Sequence, residues 1–303
     1  MKDKVFYTER IFWCREGEIM ALATGMKNTL EGASEKLIFA MQQAKNALIF
    51  PTSSLQDPIP STNAAGQKQI RADVVAEEVF FQHLLAFGLN GTLYSEESGI
   101  RIFGDPDAED ALILLLDPLD GSKNYQKGKK VGCISLAFGS ATSNPTLADL
   151  HGGIVLNLYD DEIYTAIRGR GVRKNGLPYT HPLPQESNNK INIYSYDKRV
   201  KRFLKLFNGQ YTFKSLGSVA WELVLAITRN IDMFLDLRGK VKVHDFAASK
   251  LIAEEAGCHF RIIGDFVDSQ IPIDNFSKGY SIAASCDEEL MNSFISDILR
   301  LSG

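Results

Sequence analysis

Residues 111–122 read Ala111-Leu112-Ile113-Leu114-Leu115-Leu116-Asp117-Pro118-Leu119-Asp120-Gly121-Ser122. Six consecutive apolar residues ending in Asp-Pro predict a strand buried on both faces. The strand delivers two carboxylates, three positions apart, at its C-terminal end, where layered α/β folds bind ligands. Pro118 stiffens the exit and Gly121 permits a tight turn. Asp117, Asp120 and the Leu119 carbonyl can then point at one spot. An all-oxygen set of this kind suits a hard divalent cation such as Mg²⁺, which also keeps several waters. A capped turn is the bland alternative for this string.

Three more acidic positions lie where predicted elements end or begin. Asp73, in Ile70-Arg71-Ala72-Asp73, opens a helix predicted over 73–87, and by itself reads equally well as an N-cap. Ser95-Glu96-Glu97-Ser98 follows a short strand at 92–94, and alone reads as a solvated turn. Asp245, in Val243-His244-Asp245-Phe246-Ala247-Ala248, opens a helix over 245–256 that Gly257 stops at the C′ position. It too suits an N-cap, although the small residues behind it permit close backbone packing. His244 is a possible ligand, but a structurally satisfied histidine is the expectation. The five histidines are not spaced as a metal pair, so the donor inventory is carboxylate and carbonyl. That favours Mg²⁺, Mn²⁺ or Ca²⁺ over zinc.

Clustered carboxylates repel a phosphate ester unless they cradle cations. Two metals held together lower the pKa of a bridging water and stabilise the leaving oxygen. Backbone N–H groups at Gly121-Ser122 offer fixed donors to the phosphate, and the helix start at Gly217-Ser218 offers a second anion-friendly terminus.

Elsewhere the pattern mixes α and β throughout. Helices are predicted over 29–49, 200–206 and from Gly217-Ser218 to about Thr228, and strands over 133–138, 153–158, 163–166, 191–194 and 231–235. Residues 51–67 read as a loop, and 169–176 as turns. The polar, proline-bearing stretch 182–189 marks a boundary between an N-terminal α+β region (1–187) with most acidic motifs and a C-terminal α/β region (188–303), packed as one unit. No role is assigned to residues 1–25. The 303 residues carry a net charge of −4, which argues against a nucleic-acid partner. Four cysteines, none in a C-x-x-C pair, fit buried or idle thiols in a reducing cytoplasm. No apolar run is long enough to span a bilayer, so a cytoplasmic protein without membrane partners is expected.

Together these motifs resemble the lithium-sensitive, magnesium-dependent phosphatases: inositol monophosphatases, fructose-1,6-bisphosphatases and 3′(2′),5′-bisphosphate nucleotidases. Glu96-Glu97-Ser98 resembles the first metal-binding element, and Asp117 to Ser122, followed by Asn124 and Tyr125, the central signature. Asp245-Phe246-Ala247-Ala248 with Glu255-Ala256-Gly257 resembles the C-terminal signature, and Gly217-Ser218 with Ala220 the substrate-side helix start. Two stretches are similar to the archaeal-type inositol monophosphatase/fructose-1,6-bisphosphatase branch: 153–176, with Val155-Leu156-Asn157-Leu158, Gly169-Arg170-Gly171 and Asn175-Gly176, and Asp236-Leu237-Arg238-Gly239-Lys240.

The resemblance implies a layered α-β-α-β-α sandwich, the α+β sugar phosphatase fold, in a chain that forms a homodimer. It implies two or three Mg²⁺ ions (Mn²⁺ as a substitute, Ca²⁺ and Li⁺ as inhibitors) on Glu96, Asp117, the Leu119 carbonyl, Asp120 and Asp245, with Asp73 touching a third. Asp73, Ser122 and Glu96 would be the catalytic residues, Asp73 and Ser122 as the pair that helps activate water. Gly121 and Ser122 would hold the phosphate, and Ser218, Arg238 and Lys240 would lie near the substrate, a small phosphorylated molecule. Inositol monophosphate or a related polyol or sugar phosphate comes first as substrate, fructose-1,6-bisphosphate second and a bisphosphate nucleotide third. A binding protein that had lost turnover would be expected to lack one of the acidic ligands, and none is lost. The chain departs from the pattern in Ser122 for a frequent Thr, in Lys123, in His244 for the Trp common in the inositol branch, in Arg71 for Thr or Val, and in lacking a second Gly after Gly257.

Overall fold

The computed structural model describes residues 30–51, 54–64, 66, 68–180, 187–207 and 209–302. The unassigned stretch 1–25 lies outside them. The apolar run quoted above is the centre of β5 (Leu112–Asp120), all nine of whose residues are buried. Its neighbours form an eight-stranded sheet in the order β10-β9-β8-β7-β6-β5-β3-β4. The other strands are β3 (Gly91–Ser95), β4 (Gly99–Phe103), β6 (Cys133–Ser140), β7 (Gly152–Asn157), β8 (Ile163–Ile167), β9 (Val172–Lys174) and β10 (Leu177–Pro178). β3 runs parallel to β5, and the remaining pairs are antiparallel.

A second sheet has five strands in the order β12-β11-β13-β15-β14. These are β11 (Lys190–Tyr194), β12 (Thr212–Lys214), β13 (Met233–Val241), β14 (His259–Ile262) and β15 (Tyr280–Ser285). β11 is parallel to β12 and β13, and β15 is antiparallel to β13 and β14.

Because β5 is buried on both faces, alternate side chains enter different cores. Leu112, Leu114 and Leu116 pack under α1 (Leu30–Ile49) and α2 (Arg71–Ala86), against Leu37, Met41, Phe80 and Leu84. Ile113 and Leu115 face the opposite way, into a core shared with α5 (Val219–Ile227) and α6 (Val243–Glu255). The far wall of that core is Phe234, Ile282 and Ala284 of the second sheet. The outer face of that sheet, with Met233, Leu235 and Ala283, is covered by α4 (Lys198–Leu204) and α7 (Glu288–Ser302) through Val200, Met291 and Phe294. The layers are therefore α-β-α-β-α, as the resemblance implied. Each large apolar side chain buried in them contributes about 1.5–3 kcal/mol.

The small residues behind Asp245 have their reason in this packing. A Cβ on Gly153 of β7 would stand 2.5 Å from the Ala248 carbonyl oxygen, so α6 lies backbone-close on the large sheet. Two expectations are corrected. The stretch 51–67 is not loop throughout, because β1 (Pro58–Thr62) pairs antiparallel with β2 (Lys68–Ile70); its prolines sit on an exposed two-stranded ribbon, where a missing N–H is tolerated. Nor are all the described cysteines buried or idle thiols. Cys258 and Cys286 form a disulfide at the paired ends of β14 and β15, while Cys133 is a buried free thiol. Among the described residues, no helix is long and apolar enough to cross a membrane.

Candidate active site

At the end of β5 the chain turns through Gly121, at φ +103°, into the short α3 (Ser122–Gln126). A side chain at Gly121 would also meet the Val131 carbonyl at 2.9 Å. Asp117 Oδ1 accepts from the Leu119 N–H at 3.0 Å, which folds the Asp-Pro-Leu-Asp turn inward. Asp120 reaches across the layers to α5. It accepts from Ser218 Oγ at 2.8 Å and from the backbone N–H groups of Val219 (3.1 Å) and Ala220 (2.7 Å). The helix start foreseen as a phosphate site is thus filled by the protein's own carboxylate. Unpaired amides and the helix dipole stabilise the anion that is already there.

Asp73 and Asp245 share one device. Each is the third residue of its helix and takes the N–H of the residue before it, Ile70 at 3.1 Å and Lys242 at 2.6 Å. Neither is an N-cap; each makes the back-bonding half of a capping box. One oxygen anchors the helix end and the other is left for the site. Asp73 Oδ1 accepts from Ser122 Oγ at 2.7 Å. The Leu119 carbonyl lies 2.9 Å from the same hydroxyl, but one proton serves one acceptor, and the carboxylate is the stronger.

Glu96 and Glu97 leave the end of β3 and are held by residues that the sequence did not flag. Asn63 Nδ2 donates to Glu96 Oε1 at 3.1 Å, and Gln69 Nε2 to Glu97 Oε2 at 2.6 Å. Glu77 Oε2 accepts from Ser95 Oγ (2.5 Å) and the Ser98 N–H (3.2 Å), and its other oxygen pairs with Arg101 at 3.2 Å. At α5, Glu222 accepts from Asn192 at 2.7 Å, Tyr194 Oη at 2.5 Å and the Gly217 N–H at 3.0 Å. That fixes the loop before α5. Both glutamates had a signal: Glu77 lies one turn after Asp73, and Glu222 interrupts the apolar Val219–Ile227 run. Asn63 and Gln69 had none.

Burial raises the pKa of every carboxylate in the cluster. Asp73 is pushed up to about 6 despite its bonds to Ser122 and Ile70. Burial, then the charge of Asp73, lifts Glu97 to about 7; burial, then Asp120, lifts Asp245 to about 7. Glu96 and Asp117 are driven well above the usual range, first by burial; the charges of Asp245, Glu97, Asp73 and Asp120 add for Glu96, and those of Glu96, Asp120 and Asp245 for Asp117. Asp120 is raised less firmly, since Ser218 and the α5 amides oppose its burial. One carboxylate oxygen of Glu96 and one of Asp245 lie within 4.8 Å of each other, close enough to Asp73, Asp117 and Asp120 for the charges to be felt. A buried set of like charges is unfavourable unless cations neutralise it. Hard oxygen donors in this number fit divalent cations.

His244 does not fulfil the expectation of a satisfied structural histidine. It is buried, and its Nε2 has no hydrogen-bond partner among the described residues. That atom lies 3.4 Å from Asp245 Oδ1 and 3.8 Å from Glu96 Oε2. Burial, then the charge of Lys242, lowers its pKa to about 3, so the ring is neutral.

The three residues placed near the substrate diverge. Ser218 is fully buried, with its hydroxyl on Asp120. Arg238 turns to Asp236, with Nε 3.0 Å from Oδ2, and stacks 4.2 Å over Tyr194. Lys240 extends 5.2 Å over the Tyr196 ring.

The five-layered fold and its buried acidic cluster define a metal-dependent phosphatase. The sequence profile of the inositol monophosphatase family matches residues 33–298, and the chain belongs to that family, as a phosphoric monoester hydrolase of the archaeal-type branch. A fructose-1,6-bisphosphatase/inositol-1-monophosphatase of Methanothermobacter thermautotrophicus is 32% identical over 189 residues, 61% of this chain and 68% of that protein. A bifunctional NADP phosphatase/NAD kinase of Methanocaldococcus jannaschii is 25% identical over 66% of this chain and 39% of its own length. Among solved structures, an inositol monophosphatase–fructose 1,6-bisphosphatase superposes with a TM-score of 0.71 at 20% identity, over 87% of this chain and 98% of the other.

Proposed function

We propose that the protein hydrolyses inositol monophosphate or a related small polyol or sugar phosphate with divalent cations, Mg²⁺ in the first instance. The reading rests on one observation: Glu96, Asp117, Asp120 and Asp245, the middle two buried and the outer two half-buried, gather beside the Ser122–Asp73 hydrogen bond of 2.7 Å. Residues 1–187 would supply all the ligands except Asp245, which comes from the C-terminal region. Glu96, Asp117, the Leu119 carbonyl, Asp120 and Asp245 would hold the cations. Bound there, divalent cations acidify water and neutralise phosphate charge.

The chain's own groups do the rest. Ser122 Oγ holds the attacking water and passes its own proton to Asp73 as it takes one from the water. Asp73, pushed up to about 6 by burial, is a stronger base than an ordinary aspartate. Gly121 turns the chain so that the Ser122 end of α3 faces the phosphate. Ser218 acts on the substrate only through Asp120, which it positions.

Fructose-1,6-bisphosphate is the second reading. It is favoured by Lys123, an exposed cation one residue beyond Ser122 that suits a second phosphate, whereas Arg238 is already paired with Asp236. The test of the site is Asp117→Asn. We expect kcat to fall by at least about 10³-fold with an unchanged circular dichroism spectrum. A folded variant that keeps full activity would overturn the assignment.

A further inference from the structure

We propose that His244 is a nitrogen ligand to a divalent cation shared with Glu96 and Asp245, so that this position selects Mn²⁺, Co²⁺ or Zn²⁺ over Mg²⁺. The inference rests on the phosphatase reading only in taking the acidic cluster as a metal site. Two independent features carry it. The ring nitrogen, one carboxylate oxygen of Glu96 and one of Asp245 all lie within 4.8 Å of one another. The His244 side chain is only 2% exposed, yet its Nε2 has no hydrogen-bond partner among the described residues.

A buried imidazole nitrogen left unpartnered is unfavourable, and a native fold keeps such an atom where something outside the chain satisfies it. Two of its neighbours are carboxylate oxygens at 3.4 Å and 3.8 Å. Those separations exceed hydrogen-bond length. They lie in the range spanned by donors around one ion with bonds of about 2.1 Å, roughly 3 Å for adjacent ligands and 4.2 Å for opposite ones. Phe276, with its ring 6.2 Å from that of His244, flanks the imidazole. A nitrogen with its lone pair aimed at a cation changes the selectivity of the site. Mg²⁺ prefers oxygen, imidazole suits the later first-row metals, and affinity rises along the series from Mn²⁺ to Cu²⁺. The neighbouring donors, Asp117, Asp120 and the Leu119 carbonyl, remain all-oxygen, so the cation positions differ from one another in kind.

The probe is Mn²⁺ added to the full chain, read by pulsed electron paramagnetic resonance. Nuclear modulation from a directly bound ¹⁴N is expected, and labelling the protein with ¹⁵N-histidine should convert it to the ¹⁵N pattern without any substitution. Calorimetric titration of His244→Phe, which keeps a ring beside Phe276, should show the Mn²⁺ Kd raised at least about tenfold while the Mg²⁺ Kd moves less than about threefold. Manganese bound without histidine nitrogen coupling overturns the inference, as does a variant whose Mn²⁺ and Mg²⁺ affinities fall together. Phosphate release with Mg²⁺ separates the two readings. Activity without nitrogen coupling removes this inference alone, whereas coupling without any phosphate release removes the proposed function and leaves His244 a ligand.

Discussion

Removing the metal should make the protein less stable as pH rises, the reverse of what its surface carboxylates would do. Asp245 and Glu97 are raised to about 7 in the fold, from about 4 in an unfolded chain. Above pH 4 the folded state therefore binds more protons than the unfolded one, and stability falls with pH until the folded pKa is passed. Between pH 6.5 and 8.5 each of these two groups removes about 0.8 kcal/mol by that linkage. Glu96 and Asp117, also raised by burial, act with the same sign. His244 opposes them. Its lowered pKa means that the unfolded chain gains a proton near pH 6.5, which returns about 0.4 kcal/mol over the same window. The net loss is at least about 1 kcal/mol, or at least about 2 °C in Tm for a chain of this size. Scanning fluorimetry in EDTA measures it. Adding Mg²⁺ or Mn²⁺ at a hundred times its Kd should restore about 2.7 kcal/mol at pH 8.5. A metal-free Tm that is flat or rises across the window would refute the account of a buried, uncompensated acidic cluster.

Three substitutions probe the remaining parts. Ser122→Ala should lower kcat by about 10²–10⁴-fold and raise the acid limb of the pH–rate profile, since Asp73 loses a hydrogen bond that holds its pKa down; Ser122→Thr should stay within about threefold of wild type. Ser218→Ala strips a donor from buried Asp120 and should cost about 1–3 kcal/mol in urea unfolding. Gly153→Ala drives a methyl group to 2.5 Å from the Ala248 carbonyl oxygen and should cost about 1–3 kcal/mol by forcing α6 off the sheet, read from the same unfolding curves.

The strands and helices that carry the acidic motifs were legible because each combines an unambiguous period with a punctuating residue. The run 112–116 ends at Asp117-Pro118, and α6 ends at Gly257 with φ +71°. β4 was missed for the opposite reason. In Gly99–Phe103 the isoleucines at 100 and 102 point outward while Arg101 lies inward, 3.5 Å over the Phe81 ring, so the pattern contradicts the burial. Strand β1 was hidden by its prolines. What converges on what was only partly legible. The acidic residues could be listed from the sequence, but the α5 terminus was assigned to the substrate when Asp120, about a hundred residues away in the chain, occupies it. Contacts of that range follow from the stacking of layers and leave no local trace. The buried, unpartnered Nε2 of His244 is of the same kind, since adjacency to Asp245 says nothing about which way a ring faces.

The most direct test of the central claim is metal-dependent phosphate release from inositol-1-phosphate, fructose-1,6-bisphosphate, adenosine-3′,5′-bisphosphate and NADP, each with Mg²⁺ and with EDTA. The account predicts release from inositol-1-phosphate that EDTA abolishes, with fructose-1,6-bisphosphate next in rate. Folded, metal-loaded protein that is silent on all four would contradict it.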